Sequence, residues 1–148
     1  MKYLFTFMLL TISYLAQAQQ LTDEMKRSFK LDDPNTLLSE VKGNNHKVDD
    51  CFEVEGISYT LLSLSIKTGR PNIFKTLLSN KVDLNKICSD KSPLMFAAKY
   101  GKLALAKELL TAGAKLDVTN AENQTALDYA IKYQHQEIVS YLTSLKAK

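Results

Sequence analysis

The chain of 148 residues contains no tryptophan, two histidines, two cysteines, three prolines and five glycines. Two cysteines cannot build a dense disulfide scaffold or a four-thiolate zinc site. His46 and His135 alone leave little material for a metal centre or for acid–base chemistry. The scarcity of Gly and Pro excludes a collagen-like or low-complexity chain. Charge of one sign is also scarce: 19 Lys+Arg against 16 Asp+Glu give a net +3. So small an excess carries no argument for a nucleic-acid partner. No G-x-S-x-G, H-E-x-x-H, C-x-x-C or phosphate-binding glycine loop occurs. Catalytic residues, metals and cofactors are therefore not expected, and the chain is read as non-enzymatic. What remains is an ordinary globular balance, 45% hydrophobic and 24% charged, at a length that suits one domain.

Long hydrophobic runs are missing too, with one short exception. Residues 1–18 read MKYLFTFMLLTISYLAQA. Lys2 precedes an apolar run from Tyr3 to Leu15, and Ala16-Gln17-Ala18 follows. This is the pattern of a secretory signal peptide with its cleavage site. The run falls short of the roughly 20 residues that span a bilayer, so no stable membrane insertion is expected after cleavage. The sequence thus predicts an exported protein, periplasmic or secreted, beginning at Gln19. Charge is uneven along the remainder: residues 19–56 carry a net −4 and residues 57–148 a net +6.

Residues 57–148 contain an internal repeat. Thr60-Leu-Leu-Ser-Leu-Ser-Ile-Lys-Thr-Gly69, Ser92-Pro-Leu-Met-Phe-Ala-Ala-Lys-Tyr-Gly101 and Thr125-Ala-Leu-Asp-Tyr-Ala-Ile-Lys-Tyr-Gln134 align at a spacing of 32 and then 33 residues. Each is followed by a second apolar block, at Ile73 to Leu78, Leu105 to Leu110 and Ile138 to Leu142. Thr60, Ser92 and Thr125 are helix-capping residue types, and Pro93 suits a first helical position. Leu94, Ala97 and Ala98 share one face of a first helix; Leu105, Ala106, Leu109 and Leu110 point inward from a second. No such unit buries its apolar face alone, so the units must stack. Upstream, Asp33-Pro34 opens a short helix and Thr22 to Phe29 suggests another; residues 19–56 read as a degenerate N-terminal capping repeat with an acidic connection.

Ser92-Pro-Leu-Met-Phe-Ala-Ala…Gly101…Glu108-Leu-Leu…Gly113-Ala resembles the ankyrin repeat, T-P-L-H-x-A-A-x-x-G…L-L-x-x-G-A. The resemblance covers about Ile57 to Leu145, some three repeats. It implies an all-α solenoid of helix–turn–helix units joined by β-hairpin-like loops, and a protein-binding function. The alternative is an inhibitory, immunity-type protein that blocks a toxin or enzyme. Three departures stand out. The family's histidine is Ser63, Met95 and Asp128 in turn. Lys81 occupies the place of Gly113, with Asn80 expected to make the turn. Gln134 replaces Gly101 in the last unit.

Partners of the family usually meet the inner helices and the hairpin tips. Lys67, Lys99 and Lys132 recur at one repeat position, with Tyr100 and Tyr133 in a parallel column. These five are the candidate partner-binding residues, with Lys91, Glu122 and Gln124 at the hairpin tips. Such a face predicts a partner with an acidic surface, bound by a monomer. The acidic stretch Asp49 to Glu55 is a competing candidate to cover it. Cys51 and Cys88 lie in successive connections, and the sequence leaves open whether they are joined or independent. Both histidines read as solvated surface residues.

Overall fold

The computed structural model describes residues 19–147; the leader assigned to residues 1–18 lies outside the described residues. Among the described residues eight helices form four antiparallel pairs: α1 (Asp23–Leu31) with α2 (Pro34–Gly43), α3 (Leu61–Thr68) with α4 (Pro71–Ser79), α5 (Pro93–Lys99) with α6 (Leu103–Thr111), and α7 (Ala126–Lys132) with α8 (Gln136–Lys146). The inner helices stack in sequence, α3 on α5 and α5 on α7. This is the all-α helix–turn–helix solenoid that the repeat pattern implied.

Apolar spacing explains the stack. Every residue from Leu61 to Ile66 and from Pro93 to Ala98 is buried. Ala97, Ala98 and Ala130 are fully enclosed, so their small side chains let the inner helices approach closely. The outer helices bury one stripe each: Ile73, Phe74 and Leu77 on α4, Ala106 and Leu109 on α6, Ile138 and Leu142 on α8.

Helix starts are chemically defined. Thr22, Asp33, Thr60, Ser92 and Thr125 each accept a backbone N–H of the first turn. The three residues that replace the family's histidine close these caps in three ways. Thr60 Oγ1 donates to Ser63 Oγ at 3.0 Å. The Ser92 amide donates to Met95 Sδ at 3.4 Å. Both the amide and the hydroxyl of Thr125 donate to Asp128 Oδ2 at 2.7 Å.

Those Thr125 bonds hold the Asp128 carboxyl below its ordinary value of 3.8. A carboxyl with a depressed folded pKa contributes stability above its unfolded pKa and loses it as pH falls through the folded one. Asp128→Asn is therefore expected to flatten the acid limb of the stability profile below about pH 4 and to leave its slope near neutrality unchanged. Denaturation midpoints collected across pH 2.5–7 check this; an unaltered acid limb would contradict it.

Helix ends correct one expectation. Lys81 itself takes the left-handed turn, at φ 54°, while Asn80 stays at φ −83°. Gln134 likewise adopts φ 60° where the preceding unit uses Gly101 at φ 67°. Gly101 has no alternative, because a Cβ there would sit 2.7 Å from the His135 ring. That ring is half-buried in the turn, with Nε2 3.0 Å from the Lys99 carbonyl. His46 is also half-buried, edge-on to Phe52 at 5.3 Å between ring centroids. Both histidines therefore pack, contrary to the reading of them as solvated.

The long connection before α3 folds as a hairpin. β2 (Phe52–Val54) pairs antiparallel with β3 (Ile57–Tyr59), and β1 (Gln19–Gln20) adds in parallel to β2. Glu55 and Gly56 make the turn at positive φ. Cys51, just before β2, is disulfide-bonded to Cys88 with Cα atoms 5.8 Å apart. Polar side chains then tie each unit to the next. The Asp32 carboxylate accepts the amides of Asn72 and Ile73, both at 3.0 Å, and so caps α4, whose own Arg70 offers no cap. Asp49 accepts the Asp83 amide and Asn85 the Lys115 amide, each at 2.8 Å. These bonds employ Asp32 and Asp49, two of the N-terminal carboxylates, in the stack itself.

Candidate partner-binding face

The face is assembled from the inner helices. Lys67, Lys99 and Lys132 occur in the last turns of α3, α5 and α7, where a cation opposes the negative end of the helix dipole. Phe96 on α5 and Tyr100 just past its end lie four residues apart, as do Tyr129 on α7 and Tyr133 just past its end, so each pair shares a face. Their rings stack within each helix, with centroids 6.2 Å and 6.4 Å apart. Tyr59, at the end of β3, packs on Phe96 at 5.0 Å and carries the aromatic row across to the preceding unit.

Lysines interleave these rings. Lys67 Nζ sits 4.7 Å from the Tyr59 ring centroid and donates to its hydroxyl at 3.0 Å. Lys99 Nζ lies between rings of adjacent repeats, 5.3 Å from Tyr100 and 5.6 Å from Tyr133. Lys91 does the same between Phe96 at 5.8 Å and Tyr129 at 5.7 Å. Ring faces attract the ammoniums by about 0.5–1 kcal/mol each. This offsets part of the repulsion along the lysine column, yet supplies no counter-charge. Among the described residues two ion pairs form, Lys26–Asp23 and Arg27–Glu24, both within α1. None of the lysines on the face takes part in either.

Burial pushes the Tyr100 hydroxyl up to about 12, reinforced by the nearby Tyr59 and Tyr133 phenols. At neutral pH it is an uncharged hydrogen-bond donor. Burial also raises the Tyr129 hydroxyl, with the Asp90 and Glu122 carboxylates adding to the effect. Carboxylates therefore stand at the hairpin end of the face and the lysine column at the other.

The candidates thus separate. Lys67, Lys91, Lys99, Tyr100 and Tyr133 are drawn into one cation–aromatic surface. Lys91 belongs to this surface as well as to the tips. Lys132 shares the repeat position and is exposed. Glu122 is an exposed tip residue. Gln124 is engaged inside its turn: its amide donates to Asn120 Oδ1 at 2.8 Å, and its Oε1 accepts from Asn120 Nδ2 at 3.2 Å. Asn120, only 5% exposed, also reaches Asp90 and Tyr129 and organises the last hairpin. The sequence reading missed Tyr59, Phe96, Tyr129 and Asn120. The aromatic spacing of four residues before Tyr100 and Tyr133 was a usable signal for Phe96 and Tyr129. Among the described residues no cluster of His, Cys, Asp or Glu is arranged to hold a metal, and no helix is long and apolar enough to cross a membrane.

The family described as "Ankyrin repeats (3 copies)" matches residues 32–120 and 62–148, most of the chain. The protein belongs to the ankyrin-repeat family. The match begins inside the segment read as a degenerate capping unit. A Rickettsia bellii (strain RML369-C) protein bearing an ankyrin-repeat name is 32% identical over 91 residues, which is 57% of this chain. The matched region spans 54%, about half, of that relative's length. Ankyrin repeats are generally protein–protein interaction modules and typically non-catalytic. The interleaved lysines and rings lie along the inner helices of this ankyrin stack and the hairpin ends that lead into them.

Proposed function

We propose that this ankyrin-repeat protein acts after export as a non-catalytic, monomeric binding module for another protein with an acidic surface. The binding site is the inner-helix face built around Lys67, Lys91, Lys99, Tyr100, Lys132 and Tyr133. One observation carries the reading: lysines lie over aromatic rings from one repeat to the next with no carboxylate among their ion-pair partners. Fold stability alone does not require such a column, because unpaired like charges repel. Tyrosine adds large contact area at small entropic cost, which suits a binding hot spot.

Binding to the native partner is expected to weaken by about 2 kcal/mol or more in a Lys99→Glu, Tyr100→Ala double variant, with little change in melting temperature. Calorimetry against the native partner measures this; equal affinity would reject the face. Export is supported by the leader pattern and by the Cys51–Cys88 bond, which suits an oxidising compartment. N-terminal sequencing of protein from its native host is expected to begin at Gln19, within a residue or two; a chain still starting at Met1 would refute export.

A further inference from the structure

We propose that the inner-helix face recognises a partner segment in the polyproline II conformation that carries a carboxylate at every third residue. The inference rests on the reading of the face given above and specifies what the face takes.

Spacing is the first argument. Lys67, Lys99 and Lys132 stand at one position on three successively packed helices, α3, α5 and α7. Packed helices lie about 8–10 Å apart, so the column presents a cation at roughly that interval. A polyproline II segment has three residues per turn and rises about 3.1 Å per residue, which returns a side chain to the same side about every 9 Å. An extended β-strand returns every two residues, about 6.6 Å, and loses register by the third helix.

Chemistry is the second argument. Ammoniums alternate with rings along the face: Lys67 over the buried Tyr59, which anchors it, and Lys99 between Tyr100 and the exposed Tyr133. A carboxylate meets the ammonium, and the proline rings pack against Tyr100 and Tyr133, the rings of the row that reach solvent, as in other aromatic-lined grooves for such segments. Polyproline II leaves its backbone carbonyls without internal partners. The face supplies donors for them, the lysine ammoniums and the Tyr100 and Tyr133 hydroxyls. Tyr100 keeps its proton throughout the neutral range. An α-helical ligand matches the interval only at every seventh residue and has its carbonyls already satisfied. Two carboxylates of the acidic connection are already engaged elsewhere: Asp49 is held by the Asp83 amide and Asp50 by the Lys47 amide. Glu53 and Glu55 border a cavity of about 430 Å³ beside Gln20, Leu21 and Lys26.

The test is calorimetry of the full mature chain with three peptides. One repeats Pro-Pro-Glu. Its isomer has the same residues with all glutamates in one block. The third is an alanine-based helix with a glutamate at every seventh residue. The repeating peptide is expected to bind about tenfold tighter than its isomer. Lys99→Glu with Lys132→Glu, at unchanged melting temperature, is expected to abolish that preference. Equal binding of the two isomers, tighter binding of the helix, or no binding of any peptide would overturn the proposal. The face itself is judged separately, by capture of the native partner with the Lys99→Glu, Tyr100→Ala protein. Loss of capture together with no peptide preference defeats the polyproline II inference and leaves the face standing. Full capture defeats both.

Discussion

Leu109→Ala is expected to lower the unfolding free energy by about 2–5 kcal/mol. Leu109 is fully buried on α6, and its carbonyl accepts the Ala114 amide that closes the helix end. Truncation removes apolar contacts and leaves a cavity that the packed surroundings fill only partly. Each repeat contacts only its neighbours, so the loss is shared across the interfaces on both sides. The whole stack should melt earlier in one transition. Differential scanning calorimetry measures it; an unchanged melting temperature would show that Leu109 does not face the core.

Reduction of the Cys51–Cys88 bond is expected to cost about 3–4 kcal/mol. The bond closes a loop with a sequence separation of 37 residues, and it restricts the unfolded chain accordingly. Its position concentrates the effect. It joins the residue before β2 to the next hairpin, and so holds the N-terminal pair α1–α2 and its sheet against the α3–α4 unit. Asp32 on α4 and Asp49 on the Asp83 amide support the same junction. After reduction only those bonds and apolar packing hold the first pair, so its partial melting should precede that of the rest. Melting with and without reductant, alongside the Cys51→Ser, Cys88→Ser protein, measures this. The reduced and double-serine proteins should agree. A melting curve insensitive to reductant would contradict the account.

Much of this architecture is legible in the sequence because ankyrin repeats state it redundantly. Helix α6 is bracketed by Gly101 and Gly113, and the caps Thr60, Ser92 and Thr125 recur at fixed offsets. The turn at Lys81 was misplaced by one residue because φ above zero favours asparagine intrinsically, whereas the stack fixes where the helix must end. His135 was misread because its burial depends on Gly101, more than thirty residues away and invisible to local patterning. The lysine and tyrosine columns were visible as repeat positions. Their interleaving was not, since Lys91 and Tyr59 reach the face from hairpin ends whose approach only the folded stack defines. The acidic connection misled in the same way. Its carboxylates look free in sequence, yet Asp49 and Asp50 are spoken for by backbone amides.

The central claim is that a partner lies on the inner-helix face, and site-directed photo-crosslinking tests it most directly. A photoreactive residue placed at Tyr133, which is 40% exposed at the end of α7, samples that face. The same residue at Lys107, exposed on the outer helix α6, samples the back. Adducts with the native partner are expected from position 133 and none from position 107. Adducts formed only from position 107 would place the partner on the outer helices and contradict the account.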